Sequence, residues 1–507
     1  MSAERGRVAI IGAGISGIAY ADVLGRCGFE PVLFERAPRV GGVWERAYPE
    51  VSLQNSRDEY HLSSFPWPSP PTLHPTGAEI RRYLEEAVRA RKLDVRLSHE
   101  VVSARAAGGG WDLAVRRDGE TQAHRFDRLV VSIGQYSEGK HRPVLAGEET
   151  FSGRVLTERD VKDLSIFDGR RVVVVGFGKS ALDMACFAAG RGAEVHHVFR
   201  TPRWTLSRSI LGLHFTRLLF NRFGSVMMTS WTHPTAIERG MHRAKPIIQG
   251  FWSGLQALFR SIIRKAGRGA GDGAMARLDA VTPSHALITD LRSATALAPD
   301  DYYRLVATGR IQPHRAEVGE LSSDGLTLST GEALKCDLVM LSVGSRPPSF
   351  PFLADEARAL LESEPDGAQL YRHLIHPRMP DVGFAGYNHS FMHVPGVEVG
   401  ALWLAALWRG ELTLPPVEEM EAAVEHIRAW KRANITFEPS RSCAVSTRFQ
   451  QYLDILLQDL GVSPYRKLPN IFAEIFARYN AADYAGVVDE YLARPPRSPR
   501  RPVPLPT

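Results

Sequence analysis

Cysteine is scarce in this chain. Cys27, Cys186, Cys336 and Cys443 are the only four in 507 residues, widely separated and without a Cys-x-x-Cys pair. That spacing suggests neither a disulfide framework nor a zinc site, shows no redox-active cysteine pair, and fits a reducing compartment. No uninterrupted apolar run of 18 residues is present, so no membrane-spanning helix is expected. The polar opening Met-Ser-Ala-Glu-Arg-Gly-Arg leads straight into an apolar run, which predicts no signal peptide and a cytoplasmic protein. Neither sign of charge dominates: 62 Lys and Arg against 56 Asp and Glu give +6. A hydrophobic content of 44% with 23% charged residues is that of an ordinary globular protein, and the length predicts two or three domains.

What is present begins at Val8. Four apolar residues, Val8 to Ile11, run into Gly12-Ala13-Gly14-Ile15-Ser16-Gly17, and Ile18, Ala21 and Leu24 follow at helical spacing. The pattern predicts strand, tight turn and helix. Gly12 permits the turn, Gly14 lets the backbone approach a pyrophosphate, and Gly17 lets helix and strand pack closely. The pyrophosphate then rests on free N–H groups at the helix start, beside Ser16. A second strand, Pro31 to Phe34, ends at Glu35 and Arg36, where the carboxylate can accept both ribose hydroxyls.

The plan repeats at Arg171 to Val175, followed by Gly176-Phe177-Gly178-Lys179-Ser180-Ala181, with alanine in the third glycine position. Its next strand, Glu194 to Phe199, ends in Arg200 instead of an acid. A carboxylate there would repel a 2′-phosphate, whereas Arg200, helped by Arg203, can bind one, so the second ligand is read as NADPH. The alternative is that both arginines are ordinary surface cations. Two apolar strands that start at an acid and end at a glycine, Asp127 to Gly134 and Asp337 to Gly344, supply one returning strand to each nucleotide unit.

Between these units lie Val40-Gly41-Gly42-Val43-Trp44, then Leu53-Gln54-Asn55-Ser56, then Ser64-Phe65-Pro66-Trp67-Pro68. In this order, with the glycine fingerprints, they resemble the flavin-containing monooxygenases, the class B flavoprotein monooxygenases. The resemblance runs from about Val8 to Trp408. It implies FAD in the first site, with Gly42 and Trp44 against it, and Asn55 as the catalytic hydrogen-bonding residue near the reactive flavin edge. A closing unit from Pro380 through Asn388 to a helix near Val397 is implied to point at the flavin, with Asn388, His389 and His393 lining the site. The implied reaction uses NADPH and O₂, forms a hydroperoxyflavin, and oxygenates a nucleophilic nitrogen or sulfur, or a ketone carbon, of a lipophilic small molecule. The family's linking motif is half kept: Phe151-Ser152-Gly153-Arg154-Val155-Leu156 and Lys162 match, but Thr157 replaces its histidine and Val161 its aromatic. That departure weakens assignment to the Baeyer-Villiger branch, whose longer motif is no better matched; a Baeyer-Villiger monooxygenase, and an FAD/NADPH oxidoreductase or redox-sensing scaffold without oxygenation, stand as the alternatives.

From Arg200 to Asp272 twelve Lys or Arg face only Glu238 and Asp272, and bulky apolar residues such as Ile248, Trp252, Phe259 and Ile263 recur at helical spacing. Two readings stand: helices that pack on each other and roof the active site with their arginines solvated, or a basic amphipathic surface, 204–268, that meets an anionic membrane. Nucleic acid is disfavoured because the cations interleave with aliphatics. The expected fold is α/β, two Rossmann-like dinucleotide-binding domains for FAD and NADPH with a helical insertion and a helical C-terminal region. Its expected division is 1–168 for the first part of the FAD domain, 169–335 for the NADPH domain with the insertion at about 203–300, and 336–410 for the second part of the FAD domain. Residues 411–490 form the helical C-terminal region and 491–507 a basic, proline-rich tail expected to be disordered. Val95 to Leu97, Trp111 to Val115 and His124 to Phe126 are expected to form a small antiparallel meander.

Overall fold

A computed structural model describes residues 6–507 except 137–138, 211, 294–295 and 496–497. Strand β1 (Arg7–Ile11), helix α1 (Ile15–Arg26) and strand β2 (Glu30–Glu35) make a parallel β-α-β unit in which Val8 lies opposite Pro31. Helix α2 (Gly77–Arg91) is amphipathic and starts at a capping box, Thr76 accepting from the Glu79 N–H while Glu79 accepts from Thr76. It returns the chain to β3 (Asp94–Leu97), a parallel edge strand beside β2.

Val95 to Leu97 therefore belongs to the main sheet and not to the meander expected for it. A strand delivered by a crossover helix pairs parallel, whereas antiparallel neighbours need a tight turn between them. The meander is β4 (Glu100–Ala107), β5 (Gly110–Arg117) and β6 (Glu120–Phe126), turning at Gly108-Gly109 and Asp118-Gly119. Strand β7 (Arg128–Val131) then re-enters the sheet beside β1.

The second sheet begins earlier than expected. Strand β8 (Arg154–Thr157) precedes β9 (Arg171–Val175), helix α3 (Lys179–Gly190) and β10 (Glu194–Phe199). After β10 come three two-residue strands, β11 (Thr205–Leu206), β12 (Ser209–Ile210) and β13 (Leu213–His214). Helices α4 (Phe215–Leu219), α5 (Arg222–Met227), α6 (Ala236–Arg243), α7 (Lys245–Lys265), α8 (Ala274–Val281) and α9 (Leu287–Arg292) follow, then β14 (Ala296–Leu297). The sheet resumes through α10 (Tyr302–Ala307) and β15 (Ile311–Arg315). A small sheet of β16 (Val318–Ser322), β17 (Gly325–Leu328) and β18 (Ala333–Lys335) leads to β19 (Leu338–Leu341). All-parallel order β15-β10-β9-β19-β8 puts both β8 and β19 in this second sheet, although their residues fall in the ranges 1–168 and 336–410 expected for the FAD domain.

The chain then returns. After α11 (Asp355–Leu361), β20 (Val382–Phe384) completes the first sheet in the order β20-β7-β1-β2-β3. β21 (His389–Ser390) leads into α12 (His393–Trp408), which is buried on nearly every side between α1 and the later helix α14. Its start at His393 is four residues earlier than the Val397 expected, because Pro395 sits in the first turn, where no intrahelical N–H is needed. The C-terminal region is α13 (Val417–Asn434), β22 (Ala444–Ser446), α14 (Phe449–Asp459), α15 (Ile471–Phe476) and α16 (Val487–Leu492), with β22 pairing β21.

The tail is ordered where it is described. Arg500 exchanges backbone bonds with Glu411 and Thr413 (2.9 and 2.8 Å), and the Val503 N–H donates to Asp459 Oδ1 at 2.8 Å. Proline-rich composition records the lost donors but not the acceptors that a neighbouring surface supplies.

Candidate active site

Each parallel sheet ends in the same local arrangement, and both ends open on one cavity of 1690 Å³. Gly12 (φ 110°) and Gly176 (φ 120°) turn the chain out of β1 and β9. A Cβ at Gly12 would lie 2.4 Å from Ser132 O, and one at Gly176 would lie 2.3 Å from Ser342 O, so only glycine fits either turn. Helices α1 and α3 follow from Gly14 and Gly178, which offer no side-chain cap, leaving their first N–H groups for a ligand at the cavity wall. Ser132 and Ser342, the residues just after β7 and β19, each hold a buried hydroxyl oxygen with no partner among the described residues. This doubled set of uncapped helix start, glycine turn and orphan hydroxyl fits two dinucleotides.

Around the first turn, Ser16, Glu35, Arg36, Gly42, Trp44 and Gly134 all line the cavity. Glu35 sits at the end of β2, its two carboxylate oxygens accepting from the Ala13 and Ala37 N–H groups, each at 2.9 Å. Both oxygens keep lone pairs for a ribose diol. Trp44 donates its indole N–H to Tyr60 Oη at 2.8 Å, which fixes the orientation of the ring. Gly17 lies outside the wall: a Cβ there would be 2.1 Å from Gly12 O, so its place is in the packing of α1 onto the turn.

Around the second turn, Lys179, Ser180, Arg200, Arg203 and Gly344 line the cavity together with Gly178. Lys179 pairs with Asp183, which also accepts from Tyr48 Oη at 2.7 Å. The two arginines differ. Arg200 has a side chain 79% exposed and only a distant partner, Glu317 at 3.7 Å. Arg203 is bound elsewhere, its guanidinium stacked 4.6 Å over the Phe437 ring and donating to Phe437 O at 3.1 Å. Arg200 thus presents an exposed guanidinium beside the cavity at the end of β10, whereas that of Arg203 is engaged by Phe437 of the C-terminal region.

The wall between the two turns holds Asn55, buried, whose Nδ2 donates to Phe391 O. His389 and His393 line the same wall, and burial lowers their pKa values to about 4 and about 3, so both are neutral. His393 Nε2 lies 3.0 Å from Ser16 Oγ, tying the start of α12 to the start of α1. Asn388 does not reach the cavity; it is buried under α12, where the close approach of Gly396 makes room for its amide. Thr157 stands just outside the wall and caps the turn after β8, its N–H and its hydroxyl both donating to Asp160 Oδ2 at 2.8 Å. Its neighbour Glu158 is buried in the wall and pairs with Lys140 at 2.6 Å.

The helical insertion is not a roof over this cavity. Of residues 203–300 only Arg203 and Ala296, at its two ends, line it among the described residues. The apolar faces pack on neighbouring helices: Ile248, Trp252, Phe259 and Ile263 of α7 are buried, and the Trp252 indole donates to Met227 O at 2.8 Å. Nor are all its arginines solvated, since Arg222 is buried between Asp454 and Glu474.

Sequence reasoning missed the contribution of the C-terminal region. Phe437, Glu438, Pro439, Ser440 and Ser446 complete the cavity wall. The available signal was the break in helical spacing after Asn434, where Glu438-Pro439-Ser440 interrupts two amphipathic helices.

Residues 5–245 match the family model Flavin-binding monooxygenase-like. The chain is 28% identical to the protein named "Probable flavin-containing monooxygenase 1" of Arabidopsis thaliana, covering 94% of this chain and 96% of that one. It is 27% identical to dimethylaniline monooxygenase (N-oxide-forming) 2 of Rattus norvegicus, covering 90% and 83%. Among solved structures, cyclohexanone monooxygenase from Rhodococcus sp. Phi1 bound to NADP⁺ superposes with a TM-score of 0.64 at 18% identity, over 90% of this chain and 97% of that one, which is a likeness of fold.

Proposed function

The chain belongs to the flavin monooxygenase family and is an FAD-dependent, NADPH-using monooxygenase, and from that premise we propose that it oxygenates a nucleophilic nitrogen or sulfur of a lipophilic small molecule beside Asn55. The observation that carries this reading is that both nucleotide turns open on one cavity, with Asn55 and Phe391 in the wall between them. The balance is substrate, O₂, NADPH and a proton giving oxygenated substrate, NADP⁺ and water. Bound FAD supplies the redox chemistry between NADPH and O₂.

The protein's own residues bind, orient and keep the site dry. The N–H groups at the starts of α1 and α3 would hold the two pyrophosphates, Glu35 would hold the FAD ribose, and Arg200 would hold the 2′-phosphate of NADPH. Asn55 is fixed by one N–H on Phe391 O, which leaves its second N–H and its carbonyl oxygen to face the cavity. Neutral His389 and His393 and the ring of Phe391 add no charge that would draw water in. Nitrogen or sulfur is favoured over a ketone carbon because the rat relative is named as N-oxide-forming.

The test is to supply thioethers and tertiary amines with NADPH and ¹⁸O₂, scoring labelled product per NADPH. Asn55→Ala is expected to lower that yield about 10²-fold, the usual cost of one aimed donor, while NADPH oxidation continues and H₂O₂ rises. Unchanged coupling in Asn55→Ala would remove Asn55 from this role, and H₂O₂ as the sole product of the unaltered protein would remove the oxygenase reading.

A second proposal concerns contact with lipid. No helix among the described residues is long and apolar enough to cross a membrane. Four adjoining helices, however, expose Phe472 (74%) and Ile471 (67%) on α15, Phe223 on α5, Ile237 on α6 and Ile247 on α7. The Phe223 ring is 5.9 Å from Phe476 and 6.1 Å from Phe251, so the patch is continuous across three helices. Exposed Arg243, Lys245, Arg264 and Lys265 on α6 and α7 give these helices the sign that an anionic surface attracts.

A further inference from the structure

Five carboxylates line the cavity among the described residues: Glu35, Glu100, Glu158, Glu317 and Glu438. Four are engaged. Glu35 accepts two backbone N–H groups, Glu100 pairs with Arg116 at 2.5 Å, Glu158 with Lys140 at 2.6 Å, and Glu317 with Arg200 at 3.7 Å. Glu438 is different. It is only 9% exposed, and its hydrogen bond is a long one, 3.3 Å from the Ser440 N–H. The charge of Arg203 acts on it, but that guanidinium lies on the ring and carbonyl of Phe437 and makes no ion pair with Glu438 among the described residues. Tyr136 and Cys443 are the other titratable groups that feel its charge.

A buried carboxylate without an ion pair gains most in its charged form when a cation reaches it. We propose that Glu438 is a specificity-determining residue that pairs with a cationic group of the substrate, an ammonium above all, and so presents a second atom of the same molecule for oxygenation. This rests on the monooxygenase reading above. An ammonium nitrogen has no lone pair with which to accept oxygen, so the atom held by Glu438 cannot be the atom oxygenated. The substrate then carries two functions, a fixed cation at one end and a nucleophilic sulfur or unprotonated nitrogen at the other. The structure connects the two ends of such a molecule. Tyr136, which feels the charge of Glu438 and lines the same cavity, is 6.3 Å, ring to ring, from His389 on β21, and Phe391, just past β21, holds Asn55.

Burial pushes the Glu438 carboxyl up to about 7, so it is charged above neutrality and protonated below. Pairing with an amine should therefore be strongest between pH 7 and the amine's own pKa and should weaken as pH falls below 7.

The experiment uses the FAD-loaded protein with NADP⁺ present and two matched thioethers, 2-(benzylthio)ethylamine and the uncharged 2-(benzylthio)ethanol, titrated by flavin absorbance at pH 8. The unaltered protein should bind the amine about tenfold more tightly than the alcohol, a typical gain for a charge-assisted hydrogen bond. Glu438→Gln should abolish that preference while leaving the affinities for the alcohol and NADP⁺ unchanged, and lowering the pH to 6 should do the same to the unaltered protein. Equal binding of the two thioethers by the unaltered protein, including binding of neither, would overturn the proposal, as would a preference that survives Glu438→Gln. A Glu438→Gln variant that loses NADP⁺ affinity instead would assign the carboxylate to the nicotinamide and overturn it too. Sulfoxide formation is scored separately, so a charge preference without sulfoxide would count against the monooxygenase reading and not against the pairing.

Discussion

Arg200 and Arg203 are three residues apart and chemically alike, yet only one has a hand free. Arg200 stands in solvent at the end of β10, whereas Arg203 is stacked on Phe437 and hydrogen-bonded to its carbonyl. Arg200→Glu is therefore expected to raise the KM for NADPH by about 10-fold to 100-fold and to change that for NADH less than twofold, since the 2′-phosphate is the group that meets the charge. Steady-state kinetics with both cofactors decide it, and equal losses would place the phosphate elsewhere. Gly12 and Gly176 were legible in sequence because each excludes a Cβ for a reason of local geometry, the strand-end carbonyl at 2.4 or 2.3 Å. Asn388 and Glu438 were not. One was expected in the site and lies beneath α12, and the other was passed over and lines the cavity, because which way a loop side chain faces depends on what packs behind it.

At the scale of elements, the hairpin of β12 and β13 touches the Asn55 loop through a pair of histidines. His74 Nδ1 lies 3.1 Å from Leu53 O and 3.0 Å from Asn55 O, and a carbonyl can only accept, so Nδ1 carries the proton. His74 Nε2 is then a lone pair facing His214 Nε2 at 3.2 Å, and His214 must be the donor, its Nδ1 accepting from Thr216 Oγ1 at 2.8 Å. The joint works only with both rings neutral. Desolvation lowers both pKa values, His214 to about 4, with like charge from its neighbour and from Arg208 adding to it, while Asp58 and Asp300 oppose. A histidine depressed in the folded state binds fewer protons there than in the unfolded chain, so stability from this pair is intact above pH 6.5 and is lost as pH falls toward 4. His214→Gln can still donate to His74 but cannot titrate. Its Tm should lie below that of the unaltered protein at pH 7.5, and the gap should narrow by pH 4.5. A gap that stays constant across that range would mean the pair does not titrate as a joint. The helices and parallel strands that frame this joint were readable from apolar spacing. The hairpin, with two residues per strand, was too short for any periodicity to show.

For the whole molecule, the patch formed by α5, α6, α7 and α15 joins parts of the chain about 250 residues apart. Phe472→Asp combined with Phe476→Asp is expected to abolish co-sedimentation with vesicles of phosphatidylcholine and phosphatidylserine at 3:1, leaving FAD content and Tm near normal because both side chains are exposed. High salt should weaken binding of the unaltered protein, and vesicles of phosphatidylcholine alone should bind it poorly. No binding to the anionic vesicles at low salt would discard the surface as a lipid contact.

Sequence alone determined what repeats locally: two strand-turn-helix units with their glycines, the acid that ends one and the arginine that ends the other, and the return of each apolar strand. Those features depend on neighbours in the chain, where backbone geometry, helix spacing and charge act over a few residues. Only the tertiary structure decided that β8 and β19 share the second sheet, that the insertion packs beside the cavity and does not cover it, and that the loop at Glu438 closes the wall. Each of these rests on a pairing across a hundred residues or more, or on the far side of a buried side chain, and no periodicity along the chain carries that information.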